Sequence, residues 1–255
     1  ARALAYAEEF AAAVAPELVA DRLRQRQVLV LSTPDADDET VDAVTARVEE
    51  AGAQVTTRLA VEAQLLDPAA RNLVESLTAQ LLPKYPKLEV STTTPAYERA
   101  GALLARTLLT TVDAGVAMDD PARSVLSSFT TAGLLSGSAP SRRASAVVLV
   151  TGGGGEGGRG SVAQARAEIV ATVLRQLDRS SDGAVLAAPV GAPEPGDPLA
   201  AVRASAETAQ EVSSVAAVDR AAGQVAVVLA LAEQLAGASG HYGVLGADGA
   251  VPLVE

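Results

Sequence analysis

Three short and almost uninterrupted apolar runs alternate with stretches of helical periodicity, and this alternation constrains the fold more than any other feature. The runs are Gln27–Ser32, Ala146–Val150 and Ala184–Ala188. Apolar runs of this length, bounded by turn residues, are typical of strands buried on both faces of a parallel sheet. Because helical patterns lie between them, the chain is predicted to belong to the α/β class.

The first β-α-β unit shows each of its parts in the sequence. After Gln27–Ser32, the turn Thr33-Pro34-Asp35 leads into acidic residues that favour a helix start, and valines at helical spacing run to Ala51-Gly52. Ala53–Leu59 is then predicted as a second strand. We expect a doubly wound, mainly parallel sheet flanked by helices, of Rossmann-like or flavodoxin-like type.

The rest of the chain continues this rhythm. Helices are predicted at Asp67–Leu82, at Tyr97–Leu109, from Asp119, at Ser161–Leu177 and at Val225–Leu235. A further strand is predicted at Val212–Val218, and loops are predicted at Pro83–Pro95, Gly137–Arg143 and Pro189–Pro198. No internal repeat is visible, so residues 25–255 are interpreted as a single domain.

Residues 1–24 are predicted to form an N-terminal helix ahead of this domain. Leu4, Phe10, Val14 and Leu18 lie at a loosely helical spacing. The chain starts without a Met and inside this pattern, so we expect the helix to be the end of a longer segment.

Composition excludes several classes of function. The net charge is −11, with 20 basic residues against 31 acidic ones, which argues against a nucleic-acid surface. There is no cysteine, and a single histidine with a single methionine cannot form a copper or zinc site without other ligands. The longest strongly apolar run, Val225–Leu231, is too short to span a bilayer. We therefore predict no catalytic residues, no metal ligands and no cofactor.

A glycine-rich segment lies between a predicted strand and a predicted helix, and among the motifs of this sequence it most favours an enzyme. Residues 152–160 contain Gly153-x-Gly155-x-x-Gly158, which matches a dinucleotide fingerprint. A segment this rich in glycine also matches by composition alone, and it lacks the lysine of a P-loop. We interpret it as a surface loop. An enzyme that binds a nucleotide through this loop is kept as a third functional hypothesis, after the two that are given at the end of this subsection.

Five residues are weaker candidates for a site or an interface. Asp35, Asp37 and Asp38 follow the first strand, where doubly wound sheets bind ligands, but helix capping also explains them. His241 and Tyr242 lie in a turn-rich segment near Ser239, without the strand-to-helix elbow of a nucleophilic serine. We interpret His241 as a structural or interface residue.

Three stretches together resemble one protein family. They are Val28–Asp35 followed by an acidic helix and Ala51–Val55, then Ala146–Gly153, and finally Gly223–Leu231 running into Gly240-His241-Tyr242-Gly243. The chain resembles the MctB family, actinobacterial proteins named for copper transport at the outer membrane. The resemblance covers most of the chain in the same order, and its third stretch is the most distinctive.

The resemblance implies an extracytoplasmic domain anchored by an N-terminal transmembrane helix absent from this chain, with a coiled coil between them. It implies a non-enzymatic role in copper efflux or envelope transport through protein-protein contacts, and a homodimer is compatible with it. A SteB-like branch implies an alternative, a cell-division adaptor that regulates peptidoglycan hydrolases with a SteA-type partner. The family offers no ligand motif to transfer, and only residues 240–243 map as a signature.

Overall fold

The computed structural model describes residues 2–112, 114–153, 160–190 and 195–252, which are built around one seven-stranded sheet. The strands are β1 (Gln27–Ser32), β2 (Gln54–Val61), β3 (Val116–Ala117), β4 (Leu135–Gly137), β5 (Arg142–Arg143), β6 (Ala146–Val150), β7 (Ala184–Ala188), β8 (Ser213–Ala216) and β9 (His241–Tyr242). The helices are α1 (Arg2–Val19), α2 (Asp38–Glu50), α3 (Ala63–Leu66), α4 (Arg71–Leu81), α5 (Ala96–Leu108), α6 (Asp120–Thr131), α7 (Ser161–Asp178), α8 (Pro198–Ala204), α9 (Ala206–Glu211) and α10 (Ala221–Leu235).

The order of strands in the large sheet is β4-β2-β1-β6-β7-β8-β9, and β3 pairs separately with β5. All neighbours in the large sheet are parallel except β4, which pairs antiparallel with β2 at one edge. Counted along the chain, the first five parallel strands follow the flavodoxin-like order 2-1-3-4-5, and β9 adds a sixth. The predicted doubly wound α/β fold is therefore confirmed.

The two faces of the sheet are covered by different helices. In β1, Leu29 and Leu31 face a cluster that includes residues of α4 to α8, whereas Val28 and Val30 face α1, α2 and α10. This division follows from the alternation of side chains along a strand. A strand that is apolar at consecutive positions is needed when both faces are covered.

The acidic residues that open the predicted helices act as caps. Asp37 accepts a hydrogen bond from the Thr40 amide at 2.9 Å at the start of α2, and Asp119 accepts one from the Ala122 amide at 2.8 Å at the start of α6. Each bond satisfies one of the amides that the first helical turn leaves unpaired. The predicted starts of α2 and α6 are therefore correct.

Several predicted boundaries are wrong, for reasons visible in the backbone. The N-terminal helix ends at Val19 instead of residue 24, and Asp21 and Gln25 then adopt left-handed φ angles of 58° and 65°. The predicted strand Val212–Val218 is reduced to β8, because Ala217 has a φ of 84° that no strand accommodates. The predicted helix Asp67–Leu82 begins as a 3₁₀ turn, Pro68–Ala70, and becomes α-helical only at Arg71.

Short elements were missing from the sequence-based assignment. The strands β3, β4, β5 and β9 have two or three residues each, and α8 and α9 have seven and six. None is long enough to show a period of 2 or 3.6 residues. Tertiary pairing, not local sequence, defines these elements.

The N-terminal helix α1 packs onto the body of the domain. Its residues Ala15 and Val19 are fully buried, and the Glu8 carboxylate accepts a hydrogen bond at 2.6 Å from the Ala221 amide at the start of α10. A carboxylate at this position stabilises a helix by satisfying an unpaired amide and by interacting with the helix dipole. That α1 continues an upstream coiled coil stays a prediction.

Candidate functional site

The carboxyl ends of β1 and β6 meet at the point where doubly wound sheets commonly bind ligands. Here the two loops contact each other directly. A side-chain carbon placed on Gly152 would lie 2.0 Å from the Asp35 carbonyl oxygen, and the Thr33 amide donates to the Val150 carbonyl at 3.0 Å. At this contact, backbone from the first loop occupies the space beside the second.

The three candidate aspartates are exposed and serve local geometry. Asp35 accepts a hydrogen bond from the Thr33 hydroxyl at 2.6 Å, Asp37 caps α2, and Asp38 is the first residue of that helix. Among the described residues, no group of three or more histidine, cysteine or carboxylate side chains is arranged to hold a metal ion. The capping interpretation of Asp37 agrees with its hydrogen bond.

Only the ends of the glycine-rich segment belong to the part of the chain that the structure describes. Gly152, Gly153 and Gly160 belong to the described residues, whereas positions 154–159 of the motif lie outside them. Gly160 precedes α7 with a φ of 114° and provides no side-chain cap. The nucleotide-binding hypothesis therefore stays a prediction.

His241 and Tyr242 form the edge strand β9, and both are held by hydrogen bonds from several elements. Ser214 on β8 lies 2.9 Å from His241 Nδ1, and the same serine oxygen accepts a hydrogen bond from Arg203 Nε at 2.9 Å. The Arg203 guanidinium also donates to the carbonyls of Tyr242 at 3.0 Å and Leu245 at 3.2 Å. We call Arg203, Ser214, His241 and Asp248 the edge network.

Asp248 covers the outer side of β9. Its carboxylate accepts from the His241 amide at 2.8 Å, and its own amide donates to the His241 carbonyl at 3.1 Å. An edge strand otherwise leaves such backbone groups open to pairing with another chain. Asp248 therefore closes this part of the edge of the sheet.

The glycines of the 240–243 signature have a steric purpose. The Tyr242 side chain is 4% exposed and folds over Gly240, where an added side-chain carbon would lie 2.3 Å from the tyrosine oxygen. Gly243 has a φ of 90° and lies against the Ala216 carbonyl, 2.0 Å from the position of an added carbon. The motif thus lets β9 turn sharply beside β8.

Burial and charge set the protonation states of this region. Burial, followed by the nearby Arg203 guanidinium, lowers the pKa of His241, although Asp248 and the Ala209 carbonyl act in the opposite direction. Burial and the hydrogen bond to Glu233, at 2.6 Å, raise the pKa of Tyr242. At neutral pH the imidazole is therefore neutral and the phenol is protonated.

A serine beside a histidine is also the first requirement of nucleophilic catalysis. Ser214 is fully buried, and its oxygen already accepts from Arg203. The serine that sequence analysis placed near the histidine, Ser239, instead donates to the Gln210 carbonyl at 2.8 Å. The arrangement fits strand attachment, and the interpretation of His241 as a structural or interface residue stays a prediction.

Sequence reasoning missed Arg203, Ser214, Asp248 and Glu233. One signal was available, because Ser213-Ser214 interrupts an otherwise apolar run and both residues are fully buried. Buried hydroxyls require partners, so a polar pair in a central strand indicates a nearby network. The identity of those partners was not visible locally.

Within the described residues, no helix combines the length and the apolar character needed to cross a membrane.

Fold and site together define a flavodoxin-like α/β domain whose candidate polar residues cap helices and attach an edge strand. The chain belongs to the family described as "Copper transport outer membrane protein, MctB", whose model matches residues 1–252. It is 29% identical over 246 residues to the copper transporter MctB of Mycobacterium tuberculosis (strain H37Rv), covering 94% of this chain and 77% of the relative. It is 29% identical over 238 residues to the copper transporter MctB of Mycobacterium leprae, covering 89% and 73%. The resemblance seen in the sequence is therefore confirmed.

Proposed function

We propose that this chain is a non-enzymatic, extracytoplasmic domain of a membrane-anchored envelope protein that serves copper transport through contacts with other proteins. The family and its relatives are named for copper transport, which supports the copper part of the proposal. The proposed contacts with other proteins rest on the exposed apolar side chains of α1.

One of the two phenylalanines of the chain carries this argument. Phe129 is fully buried, whereas Phe10 on α1 is 59% exposed, and Tyr6 one turn away is 71% exposed. Leu4 and Leu18 on the same helix are 59% and 48% exposed. Exposed aromatic side chains one helical turn apart, such as Tyr6 and Phe10, are typical of a contact surface, since aromatic residues are enriched in such surfaces.

The same helix also lines an open groove. Small side chains of α1 and α2, among them Ala12, Pro16, Ala43 and Ala46, border a volume of about 430 Å³. Arg47, Glu50 and Gln224 complete its lining, so the groove offers both apolar and polar contacts to a side chain of a partner.

The side chains that could bind copper are engaged elsewhere. His241 Nδ1 is bonded within the edge network, and Met118 is 4% exposed in a core cluster that also contains residues of α5 and α6. The two belong to different parts of the fold. We therefore propose that copper transport depends on a partner of this domain and not on a metal held by it.

The test combines copper binding with a variant of the α1 surface. Purified domain titrated with Cu(I) and Cu(II) is expected to bind no tighter than about 1 μM. In the full-length protein, the Tyr6→Ser/Phe10→Ser pair should abolish copper tolerance of the host cells. The matched control is Leu73→Ser/Val112→Ser, which changes residues that are 38% and 51% exposed on other segments and should keep tolerance.

A nanomolar copper site, or unchanged tolerance in the Tyr6/Phe10 variant at equal protein level, would contradict the proposal. The division-adaptor hypothesis predicts a third result. In that case the same variant causes a septation defect while copper tolerance stays normal.

A further inference from the structure

The edge network contains the only histidine of the chain, and the attachment of β9 depends on it. The strand has two residues, pairs with β8 on one side, and continues into residues 243–252. A strand this short contributes few ladder bonds, so side-chain bonds must supply the rest of its attachment.

The hydrogen bonds determine which nitrogen of His241 carries the proton. Arg203 can only donate, so the Ser214 oxygen is the acceptor in that bond. The serine hydrogen is then free to point to His241 Nδ1, which accepts it in the neutral ring. The proton of neutral His241 is therefore on Nε2, towards the Ala209 carbonyl of α9.

Charged groups lie around this imidazole on several of the segments packed against β9. Arg203 approaches from α8 and bonds to the same serine oxygen as the ring. Asp248 approaches from the segment after β9, Asp197 precedes α8 and lies close to Arg203, and Glu233 of α10 is bonded to Tyr242. Arg203 is thus the cation, and Asp248 the nearest anion, that act on His241.

We propose that His241 is an acid-sensitive latch, whose protonation releases β9 and residues 243–252 from β8. A proton on Nδ1 removes the acceptor that the Ser214 hydroxyl uses and places a second positive charge across one oxygen atom from Arg203. Nδ1–H can then only donate to the Ser214 oxygen, which already accepts from Arg203, and the hydroxyl hydrogen of the fully buried serine loses its acceptor unless the edge opens to water. Opening breaks the bonds of Arg203 to the carbonyls of Tyr242 and Leu245 as well.

The direction of the pH dependence follows from linkage. The folded pKa of His241 lies below its ordinary value of 6.5, with burial and Arg203 as the causes. His241 therefore binds the proton more tightly when β9 is released from β8 than when β9 is attached. Attachment is complete above about pH 6.5 and weakens as the pH falls through the folded pKa, about tenfold for each unit by which that pKa is lowered.

Because the chain has a single histidine, its titration can be read without ambiguity from the ring proton and carbon signals in an NMR experiment. The wild-type domain is expected to titrate below pH 6.5. Arg203→Met should raise the pKa of His241, whereas Asp248→Asn should lower it further. Arg220→Met removes another partly exposed cation, at the start of α10, and should leave it unchanged.

The two variants are expected to shift the pKa of His241 in opposite directions. This distinguishes an electrostatic effect of Arg203 and Asp248 on the ring from a mere release of β9. If both variants merely released β9, both would move the pKa of His241 towards 6.5. The latch is excluded if wild-type His241 titrates at or above 6.5, or if Arg203→Met and Asp248→Asn shift it in the same direction.

Hydrogen exchange tests the release itself. Between pH 7.5 and pH 5, amide protection of residues 241–250, corrected for intrinsic rates, should fall further in the wild type than in His241→Gln, by about tenfold for each unit by which the pKa of His241 measured by NMR lies below 6.5. Glutamine keeps a neutral polar side chain and cannot take up the proton. Equal loss of protection in the two proteins would overturn the proposal.

Discussion

The junction of β1 with β6 and the edge formed by β8 with β9 are both stabilised at the ends of strands, but with different chemistry. At the junction, backbone packs on backbone, with Gly152 against the Asp35 carbonyl. At the edge, hydrogen bonds of side chains carry the contact, through the buried Ser214, the half-buried Arg203 and the exposed Asp248. The usual ligand position of the fold, near the middle of the sheet, therefore contains a direct packing contact, and the edge network lies at the β9 edge.

The largest expected effect comes from breaking the backbone contact at the junction. Gly152→Val places a branched side chain where its first carbon would lie 2.0 Å from a carbonyl oxygen, so the two loops must separate. We expect a loss of about 4 kcal/mol in the free energy of unfolding, or a failure to fold. Denaturant unfolding of the purified domain measures it.

The neighbouring glycine is the matched control. At Gly153 the nearest atom to an added carbon is Pro189 Cγ at 3.3 Å, which belongs to a side chain that can move. Gly153→Ala should therefore cost less than about 1 kcal/mol. Comparable losses in the free energy of unfolding at the two positions would show that the contact between the two loops is not rigid.

The elements that flank the junction were predictable from the sequence, whereas the contact of Gly152 with the Asp35 carbonyl and the edge network were not. Apolar runs and acidic caps are local signals, and they located β1, β6 and α2 within a few residues. The edge network joins residues far apart in the chain, with Ser214 27 positions from His241 and Arg203 39 positions from Tyr242. No period or cap rule connects such positions, because only the pairing of β8 with β9 brings them together.

The pH response of the edge can be compared with that of an acid elsewhere in the fold. Asp178 lies at the end of α7, and burial, followed by the charge of Glu211, raises its pKa to about 7. The folded pKa of Asp178 exceeds its unfolded value. The stability that the protonated Asp178 carboxyl contributes is therefore full below about pH 4 and is lost as the pH rises through 7. His241 has the opposite sign, because its folded pKa is lowered.

The expected result is that Asp178→Asn stabilises the domain at pH 8 and has little effect at pH 4. The raised pKa corresponds to about 4 kcal/mol at 1.36 kcal/mol per unit, and partial exposure of the carboxylate reduces our expectation to about 3 kcal/mol. Glu168→Gln, on an exposed face of the same helix, should show no such difference. Unfolding curves at both pH values decide it, and a stabilisation independent of pH would contradict the assignment.

A smaller loss of stability, caused by a substitution at Gly240, tests whether side chains stabilise the edge formed by β8 and β9. Gly240→Ala is expected to cost about 2 kcal/mol, because the new methyl group would overlap the Tyr242 ring, which is held by Glu233. In a Tyr242→Leu background the same change should cost less than about 1 kcal/mol, since a shorter side chain leaves room. Unfolding free energies of the four proteins of this double-mutant cycle give the coupling. Equal costs in both backgrounds would place the requirement for Gly240 in the backbone, and the edge would then follow the same rule as the junction.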